Sequence, residues 1–354
     1  MSRDERDTIF ARMAWSKNSE AYKDYYSKNP SLKDEDDELR ALPPICGEGT
    51  ATYDPINAPI ADAVFQFLGD IRHLASGAAN TQKTVVDSKL ITKRLKGLAK
   101  KYGALSVGII SMKPEYYYSF RGRWSENYGD VVDEKDKPYG IVFTVEMDKD
   151  MINRGPQLAE VIETSHGYVK AAIIGMVLAY YIRALGYEAR NHMDSNYLLG
   201  VKSPAELAGL GEIGRSGLLI TPENGSAVRI GVVTTSLPLE VDKPQNFGIK
   251  EFCEICNRCA RNCPAQAISR EHSRQTEQGA KWDFSQTSCY RLWRHVGTDC
   301  GICISSCPFV NGLKVDKVKE SVGDEDKMKA LLKEYEQQFG VQRPYIKTPP
   351  EWLL

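Results

Sequence analysis

The fold of the C-terminal third is decided by Cys253-Glu254-Ile255-Cys256-Asn257-Arg258-Cys259-Ala260-Arg261-Asn262-Cys263-Pro264. Three cysteines separated by two residues each, and a fourth before a proline, are the spacing with which bacterial ferredoxins bind [4Fe-4S] clusters. A shorter copy follows at Cys300-Gly301-Ile302-Cys303-Ile304-Ser305-Ser306-Cys307-Pro308. The two motifs together predict a bacterial ferredoxin-like domain with two [4Fe-4S] clusters over residues 246–315.

The ligand set of each cluster follows from the exchange of one cysteine. In two-cluster ferredoxins the cysteine before the proline binds the other cluster. The second motif lacks one early cysteine, and Cys289, eleven residues before Cys300, is positioned to replace it. We therefore predict that one cluster is bound by Cys253, Cys256, Cys259 and Cys307 and the other by Cys263, Cys289, Cys300 and Cys303.

The cysteine pattern must be distinguished from a disulfide framework and from structural zinc. Eight of the nine cysteines lie between Cys253 and Cys307 and only Cys46 lies outside, which favours metal binding over a disulfide framework. Structural zinc also uses paired cysteines, but a tetrahedral site needs neither the third cysteine nor the proline. The clusters could be structural, or the protein could be a plain electron carrier. Because most of the 354 residues lie outside this domain, we expect the clusters to supply electrons to a site elsewhere in the chain.

Composition narrows the possible partners and location. Lys and Arg number 46 against 47 Asp and Glu, so the net charge of −1 gives no reason to expect nucleic acid or an anionic membrane. The most apolar stretch, Ala171 to Ile182, is bounded by charged residues and predicts a buried helix, with no membrane span. Met1 to Trp15 contains neither a twin-arginine pair nor the apolar core of a signal peptide, which predicts a cytoplasmic protein.

Outside the cysteine motifs, helical and extended patterns alternate. This alternation predicts an α+β (α/β-like) core over residues 61–245, after an irregular extension over 1–60 and before a helix and tail over 316–354. The expected helices are 88–102, 158–186, 205–210 and 326–340. The expected strands are 104–110, 139–145, 218–221 and 227–235, with a loop at 188–200 and a glycine-rich turn at 211–217.

Four segments of the chain resemble the reductive dehalogenases. They are Glu5 to Met13, Tyr22 to Tyr26, Ala208 to Pro222 and Asp299 to Phe309, and the similarity runs from about residue 5 to residue 312. The resemblance implies a nitroreductase-like core that binds cobalamin or another cobamide with its lower base detached. In agreement, none of the five histidines lies in the Asp-x-His-x-x-Gly context with which corrinoid proteins ligate cobalt. The implied activity is Co(I)-mediated cleavage of the carbon–halogen bond of an organohalide, with a low-potential ferredoxin or flavodoxin as donor.

The resemblance also implies site residues. Its proton-donating tyrosine, its cation and its asparagine correspond by position to Tyr168, Arg229 and Asn196. The guanidinium should stabilise the phenolate and so lower the tyrosine pKa from about 10. The same resemblance places the glycine-rich turn against the corrinoid. Competing candidates for the tyrosine are Tyr116 to Tyr118, Tyr180 and Tyr181, those for the asparagine are His192 and Asp194, and the expected corrinoid contacts are Arg215, Ser216, Leu219 and Ile230.

Two other functions compete with dehalogenation. An epoxyqueuosine reductase, or another corrinoid reductase of a non-halogenated substrate, would share the core and the cluster motifs. It would use an aspartate acid where Asp194 lies, and it would need a basic surface for tRNA. A non-enzymatic electron-transfer or corrinoid-carrying protein would have reducible clusters but no turnover of its own.

Overall fold

The computed structural model describes residues 3–276 and 279–354. Its centre is a four-stranded antiparallel sheet in the order β1-β2-β6-β3, and two further pairs, β4-β5 and β7-β8, are short hairpins. The strands are β1 (Ser106–Ser111), β2 (Tyr139–Glu146), β3 (Ala189–His192), β4 (Glu212–Ile213), β5 (Leu219–Ile220), β6 (Val228–Thr235), β7 (Arg274–Thr276) and β8 (Gly279–Lys281).

Helices surround the sheet and form both ends of the described chain. The first seven are α1 (Ile9–Ala14), α2 (Glu20–Lys28), α3 (Pro30–Ala41), α4 (Ala58–Ile71), α5 (Ser88–Lys101), α6 (Lys149–Ile152) and α7 (Leu158–Ala184). The others are α8 (Lys202–Leu207), α9 (Ile249–Cys256), α10 (Arg258–Arg261), α11 (Gln286–Val296), α12 (Ile302–Ser305), α13 (Val315–Lys319) and α14 (Glu325–Phe339). Short 3-10 helices lie at Glu5–Asp7, Arg72–Ala75, Pro114–Tyr116, Ser125–Asn127 and Glu351–Leu353.

Alternate residues of β2 point to opposite faces of the sheet, and both faces are covered. Phe143 packs in one core with Ile174 and Leu178 of α7. Val142 packs in another core with Ala205 of α8. A strand that is buried on both faces carries a nearly continuous apolar run. Such a run is visible in the sequence, and the strand predicted over 139–145 is confirmed as Tyr139–Glu146.

Helix α7 is the longest element of the described residues. By length and apolar composition alone it could cross a membrane, yet half of its most apolar stretch is buried inside the protein. The buried side of α7 packs on β6 and β3, and α4 lies against the same helix. Such packing is typical of the core helix of a globular fold, and it places the N-terminal half of α7 beside the cysteine motifs.

The N-terminal region is helical, whereas the sequence predicted an irregular extension. The acidic run Asp34 to Glu38 lies within α3, where the Asp36 carboxylate is buried. It pairs with Arg12 at 2.9 Å and accepts a hydrogen bond of 2.7 Å from the Tyr26 hydroxyl. Short helices of this kind are stabilised by tertiary partners more than by their own propensity, so the local pattern could not predict them.

Part of the segment predicted as a loop, 188–200, is strand β3. All four of its residues are buried although three are polar, and each polar side chain has a partner. The amide of Asn191 donates to the Ala172 carbonyl at 3.2 Å, and His192 lies 3.0 Å from the Thr234 hydroxyl. The polar sequence indicated a surface loop because these partners come from distant parts of the chain.

Both chain ends pack against the cysteine-rich region. The backbone N–H groups of Cys46 and Thr52 donate to the carbonyls of Gly297 and Val296, at 2.8 and 3.0 Å. At the other end, Arg343 donates to the Ser305 hydroxyl at 3.3 Å, and Arg258 donates to the Gln342 carbonyl at 3.1 Å. These contacts join the terminal segments to the rest of the structure. The predicted boundaries of the four domains stay a prediction.

Candidate cluster sites and active site

The four cysteines predicted for the first cluster surround one cavity. Cys253 and Cys256 come from α9, Cys259 from α10 and Cys307 from the turn after α12, and all four line the same space. Burial raises the pKa of the Cys253 thiol well above its usual value, and the neighbouring thiols of the other three raise it further. These mutual effects require the four sulfur atoms to be close neighbours.

The four cysteines of the second predicted set are also neighbours. Burial raises the pKa of Cys303 well above its usual value, and Cys300, Cys289 and Cys263 raise it further. Cys289, which no motif contains, reaches the group from α11, where burial and the nearby thiols raise its pKa to about 12. Cys303 also lines the cavity of the first set, so the two sets are adjacent.

The surroundings of the thiols suit anionic clusters. Arg258 is fully buried between the motifs, and its charge lowers the pKa of both Cys256 and Cys307, partly offsetting the effect of burial. Within residues 3–276 and 279–354, no three His, Cys, Asp or Glu side chains converge on a point where a single metal ion would bind. Buried thiols that surround a space, with a cation beside them, match what [4Fe-4S] clusters require.

The glycine-rich turn lies beside the first cysteine set. A side chain at Gly214 would place its Cβ 3.1 Å from the Cys253 sulfur, so this close approach needs glycine. Of the four expected corrinoid contacts, Ser216 and Ile230 keep partly exposed surface, whereas Leu219 is buried in the core. A ligand against the exposed side of the turn would therefore be separated from the first set by little more than the turn itself.

The guanidinium of Arg215 is not free to contact a corrinoid. It is buried and donates to the carbonyl oxygens of Cys253, Ser269 and Glu271 at 3.0, 3.0 and 2.7 Å. It also stacks 5.1 Å from the centre of the Trp282 ring. We therefore assign the Arg215 guanidinium to holding the cysteine-rich segment together, while the expected contact of Arg215 with a corrinoid stays a prediction.

Tyr168 and Arg229 lie together, as the resemblance implied. The Arg229 guanidinium carbon is 4.8 Å from the centre of the Tyr168 ring, where α7 crosses β6. Arg229 lowers the pKa of Tyr168, as expected, but burial raises that pKa by more, so the net shift is upward from the usual value. The phenol is therefore protonated at neutral pH.

The other side of Arg229 contacts two residues to which sequence reasoning gave no role. Its Nη2 donates to the Thr164 hydroxyl at 2.5 Å and lies 3.3 Å from Oδ2 of Asp299. The Thr164 hydroxyl in turn donates to the same Asp299 oxygen at 2.5 Å. Asp299 immediately precedes Cys300 and begins one of the four segments that carry the resemblance, and these two signals could have indicated a role.

Asn196 lies in a turn in which both its amide nitrogen and its amide oxygen have hydrogen-bond partners. Its Nδ2 donates to the Arg72 carbonyl at 2.9 Å, and its Oδ1 accepts from Arg190 at 2.7 Å and from Arg121 at 3.3 Å. The next residue, Tyr197, was missed by sequence reasoning. Burial raises its pKa well above the usual value and the nearby Tyr168 raises it further, so the two phenols are neighbours.

Asp194 faces the same site as Tyr168. Its carboxylate lies 3.9 Å from the Arg123 guanidinium and helps to raise the Tyr168 pKa, after burial. Two of the competing tyrosines lie elsewhere. Tyr180 is half exposed on α7, with the Arg183 guanidinium carbon 4.3 Å from its ring centre, and Tyr117 is buried in the core beneath β1 and β2.

Comparisons with known proteins support the iron–sulfur assignment and the resemblance. The sequence model of the 4Fe-4S dicluster domain family matches residues 252–311. The tetrachloroethene reductive dehalogenase of Desulfitobacterium hafniense is 36% identical over 181 residues, 48% of this chain and 32% of that protein. That of Sulfurospirillum multivorans is 35% identical over 182 residues, 49% of this chain and 35% of that protein. The chain thus spans about a third of the length of these curated relatives.

Two further comparisons concern the fold and the alternative. The structure of the catabolic reductive dehalogenase NpRdhA in complex with 3-bromo-4-hydroxybenzoic acid superposes with a TM-score of 0.74 and 21% identity, covering 98% of this chain and 48% of that chain. This confirms the predicted α+β fold with its C-terminal dicluster domain. The epoxyqueuosine reductase of Listeria monocytogenes is 29% identical over 154 residues, 38% of either chain.

Proposed function

We propose that this chain is the catalytic part of a corrinoid-dependent reductive dehalogenase. In this reaction an organohalide takes up two electrons and one proton and releases a halide ion. The observation that carries the proposal is the pairing of Tyr168 with Arg229 beside two adjacent sets of four cysteines. The matched parts of the curated relatives support the same reaction.

Electrons enter through the two predicted [4Fe-4S] clusters, from a low-potential ferredoxin or flavodoxin. The adjacency of Cys303 to the first cysteine set supports transfer from one cluster to the other. The glycine-rich turn, which touches Cys253, then provides a short path toward the active site. A base-off cobamide would supply Co(I) chemistry for cleavage of the carbon–halogen bond, and Ser216 and Ile230, which keep partly exposed surface, would hold it.

Tyr168 is the proposed proton donor. A phenol whose pKa is raised by burial keeps its proton at neutral pH until the substrate carbon requires it. Arg229, at 4.8 Å from the ring centre, then stabilises the phenolate that forms. Arg229 therefore contributes mainly after the proton has left, which reconciles its position with the raised pKa.

The test is anaerobic halide release by protein reconstituted with iron, sulfide and cobalamin, with reduced methyl viologen as donor. The panel pairs a chlorinated ethene with a halogenated hydroxybenzoate, because the similar dehalogenases act on or bind these two classes. Tyr168→Phe should abolish halide release. The matched control is Tyr180→Phe, on the same helix and also beside an arginine, which should keep full activity. Equal activity of the two variants, or no halide from any organohalide, would refute the proposal.

One observation favours reduction of epoxyqueuosine as the second candidate. Asp194 lies where that activity would place its acid, and it faces the same site as Tyr168. Under this alternative Asp194→Asn would abolish turnover of epoxyqueuosine-containing tRNA, while Tyr168→Phe would not. Binding of tRNA with a steep salt dependence would support the alternative.

The cytoplasmic location stays a prediction.

A further inference from the structure

Arg229 is held in place by more than its contact with Tyr168. We infer that Thr164 and Asp299 are positioning residues that hold the Arg229 guanidinium against Tyr168, an inference that rests on the proposed function. The three side chains meet at two atoms, Nη2 of Arg229 and Oδ2 of Asp299, with the Thr164 hydroxyl bridging them. We call this arrangement the Arg229 clamp.

Helix geometry aligns the clamp with the tyrosine. Thr164 precedes Tyr168 by four residues on α7, and residues at this spacing lie on the same helix face. One guanidinium can therefore contact the Thr164 hydroxyl and the Tyr168 ring together. A nearby hydroxyl on another face of α7, such as that of Ser165, bonds to the Ile162 carbonyl instead.

The aliphatic part of Arg229 lies directly on α7. A Cβ atom added at Gly167 would be 2.6 Å from Cγ of Arg229, so only glycine allows the side chain to cross the helix this closely. The Nε atom of Arg229 has no hydrogen-bond partner among the residues that the structure describes. The clamp at Nη2 is therefore the directional contact that fixes where the guanidinium points.

Asp299 supplies the opposite charge. Both Arg229 and Asp299 have little solvent access, with side-chain exposures of 23% and 12%, and a poorly solvated guanidinium needs a charged partner nearby. Because Asp299 adjoins Cys300, the clamp also links the position of Arg229 to the loop that carries a predicted cluster ligand. The contacts of Asp299 therefore connect the proposed acid–base site to the second cysteine set.

The experiment replaces Thr164 by valine, which removes the bridging hydroxyl and keeps the shape of the side chain. Thr164→Val should lower kcat for halide release by about tenfold to a hundredfold, with KM changed less than twofold, because proton transfer depends on geometry. Thr164→Ser, which keeps the hydroxyl, should stay within about threefold of wild type. The matched control is Thr92→Val, because Thr92 is an equally buried helix threonine whose hydroxyl both donates and accepts, far from the site. A fall in kcat caused only by a lost buried hydroxyl would appear in both valine variants.

Two further readouts separate positioning from stability. Loss of the nearby guanidinium should move the alkaline limb of the kcat profile of Thr164→Val to higher pH, because the phenolate loses its stabilising charge. A crystal structure of Thr164→Val should show Arg229 displaced from the Tyr168 ring, and this result does not depend on turnover. An unmoved Arg229, an unchanged kcat, or equal loss in Thr164→Ser would overturn the inference.

The failures of the two proposals are distinguishable. If Arg229→Lys lowers kcat but Thr164→Val does not, the acid–base proposal survives and the clamp is refuted. If Arg229→Lys keeps the full kcat, the proposed role of Arg229 fails and the clamp with it. Asp299→Asn provides a second test of the clamp, and it should lower kcat like Thr164→Val while the EPR signals of both clusters persist.

Discussion

At the residue scale, the acidity of Tyr168 is set by opposing effects of its surroundings on its pKa. Arg229 and Arg123 lower its pKa, whereas burial, Asp194 and Asp299 raise it, and burial is the largest effect. The net result is a phenol that holds its proton more firmly than free tyrosine does. In the proposed reaction such a phenol is an acid that needs a strongly basic product carbon, which a reduced carbon centre provides.

This balance predicts a particular pH profile. Because the acid must be protonated and its pKa lies above the usual value of about 10, kcat should stay flat from about pH 7 to 9.5 and fall only at higher pH. The measurement is kcat against pH under saturating organohalide. Iron content and cluster EPR at each pH serve as the control for cofactor loss. An alkaline limb between pH 7 and 9 would contradict the raised pKa.

A second residue-scale prediction tests the new assignment of Arg215. Lysine cannot reach the four carbonyl oxygens that the buried guanidinium binds, so Arg215→Lys should lower the free energy of unfolding by about 3 kcal/mol. Anaerobic urea unfolding and iron content measure the effect. Arg274→Lys, an exposed arginine of the same segment, should change stability by less than about 1 kcal/mol. Normal stability together with weakened corrinoid binding would instead restore the original assignment.

The site could be predicted from the sequence only in part. Seven of the eight cysteines are recognisable because their ligand spacing is local, Cys289 was inferred from the gap in the second motif, and Tyr168 and Arg229 came from the resemblance. Thr164 was invisible because its partner Asp299 lies 135 residues away. Asn196 also came from the resemblance, and its amide bonds to Arg190 and to the Arg72 carbonyl, so its role in the site stays a prediction.

At the element scale, α7 connects the sheet to the active site. Its core side packs under β6, and its N-terminal half carries Thr164, Gly167 and Tyr168 toward the cysteine sets. Its bounds were predicted almost to the residue because its long apolar pattern is a local property. β3 was missed since its polar residues are satisfied by α7 and β6, which no local pattern reveals.

The crossing of α7 and Arg229 can be tested by adding one methyl group. Gly167→Ala should displace Arg229 and lower kcat by about tenfold, because the new Cβ would lie 2.6 Å from Cγ of the arginine. The control is Gly97→Ala in α5, where a Cβ meets nothing within 4 Å, and which should stabilise the fold by about 0.5–1 kcal/mol. Unchanged kcat in Gly167→Ala would show that Arg229 does not depend on this close approach.

At the scale of the whole molecule, the two ends of the chain cover the cysteine-rich region from different sides. The N-terminal segment pairs with the end of α11, and Arg294 donates to the Pro43 carbonyl at 2.6 Å. The C-terminal segment, residues 341–354, crosses the loop around Gly155. This loop is close to the second cysteine set, because a Cβ at Gly155 would be 2.6 Å from the Cys300 carbonyl oxygen.

The C-terminal segment should therefore protect the second cluster. Arg343 donates to the Gly155 carbonyl at 2.9 Å, Arg154 donates to the Thr348 carbonyl at 2.8 Å, and Leu353 is buried against the core. Removal of residues 341–354 breaks these contacts and opens the loop beside Cys300. Bleaching of the cluster absorbance in air should then be several-fold faster, because oxidation of cluster sulfur follows its exposure. Trp352→Ala, which trims an exposed side chain of the same segment, should bleach at the wild-type rate. Equal rates for the truncated and full-length proteins, at equal starting iron content, would mean that the segment stabilises the fold without shielding the cluster.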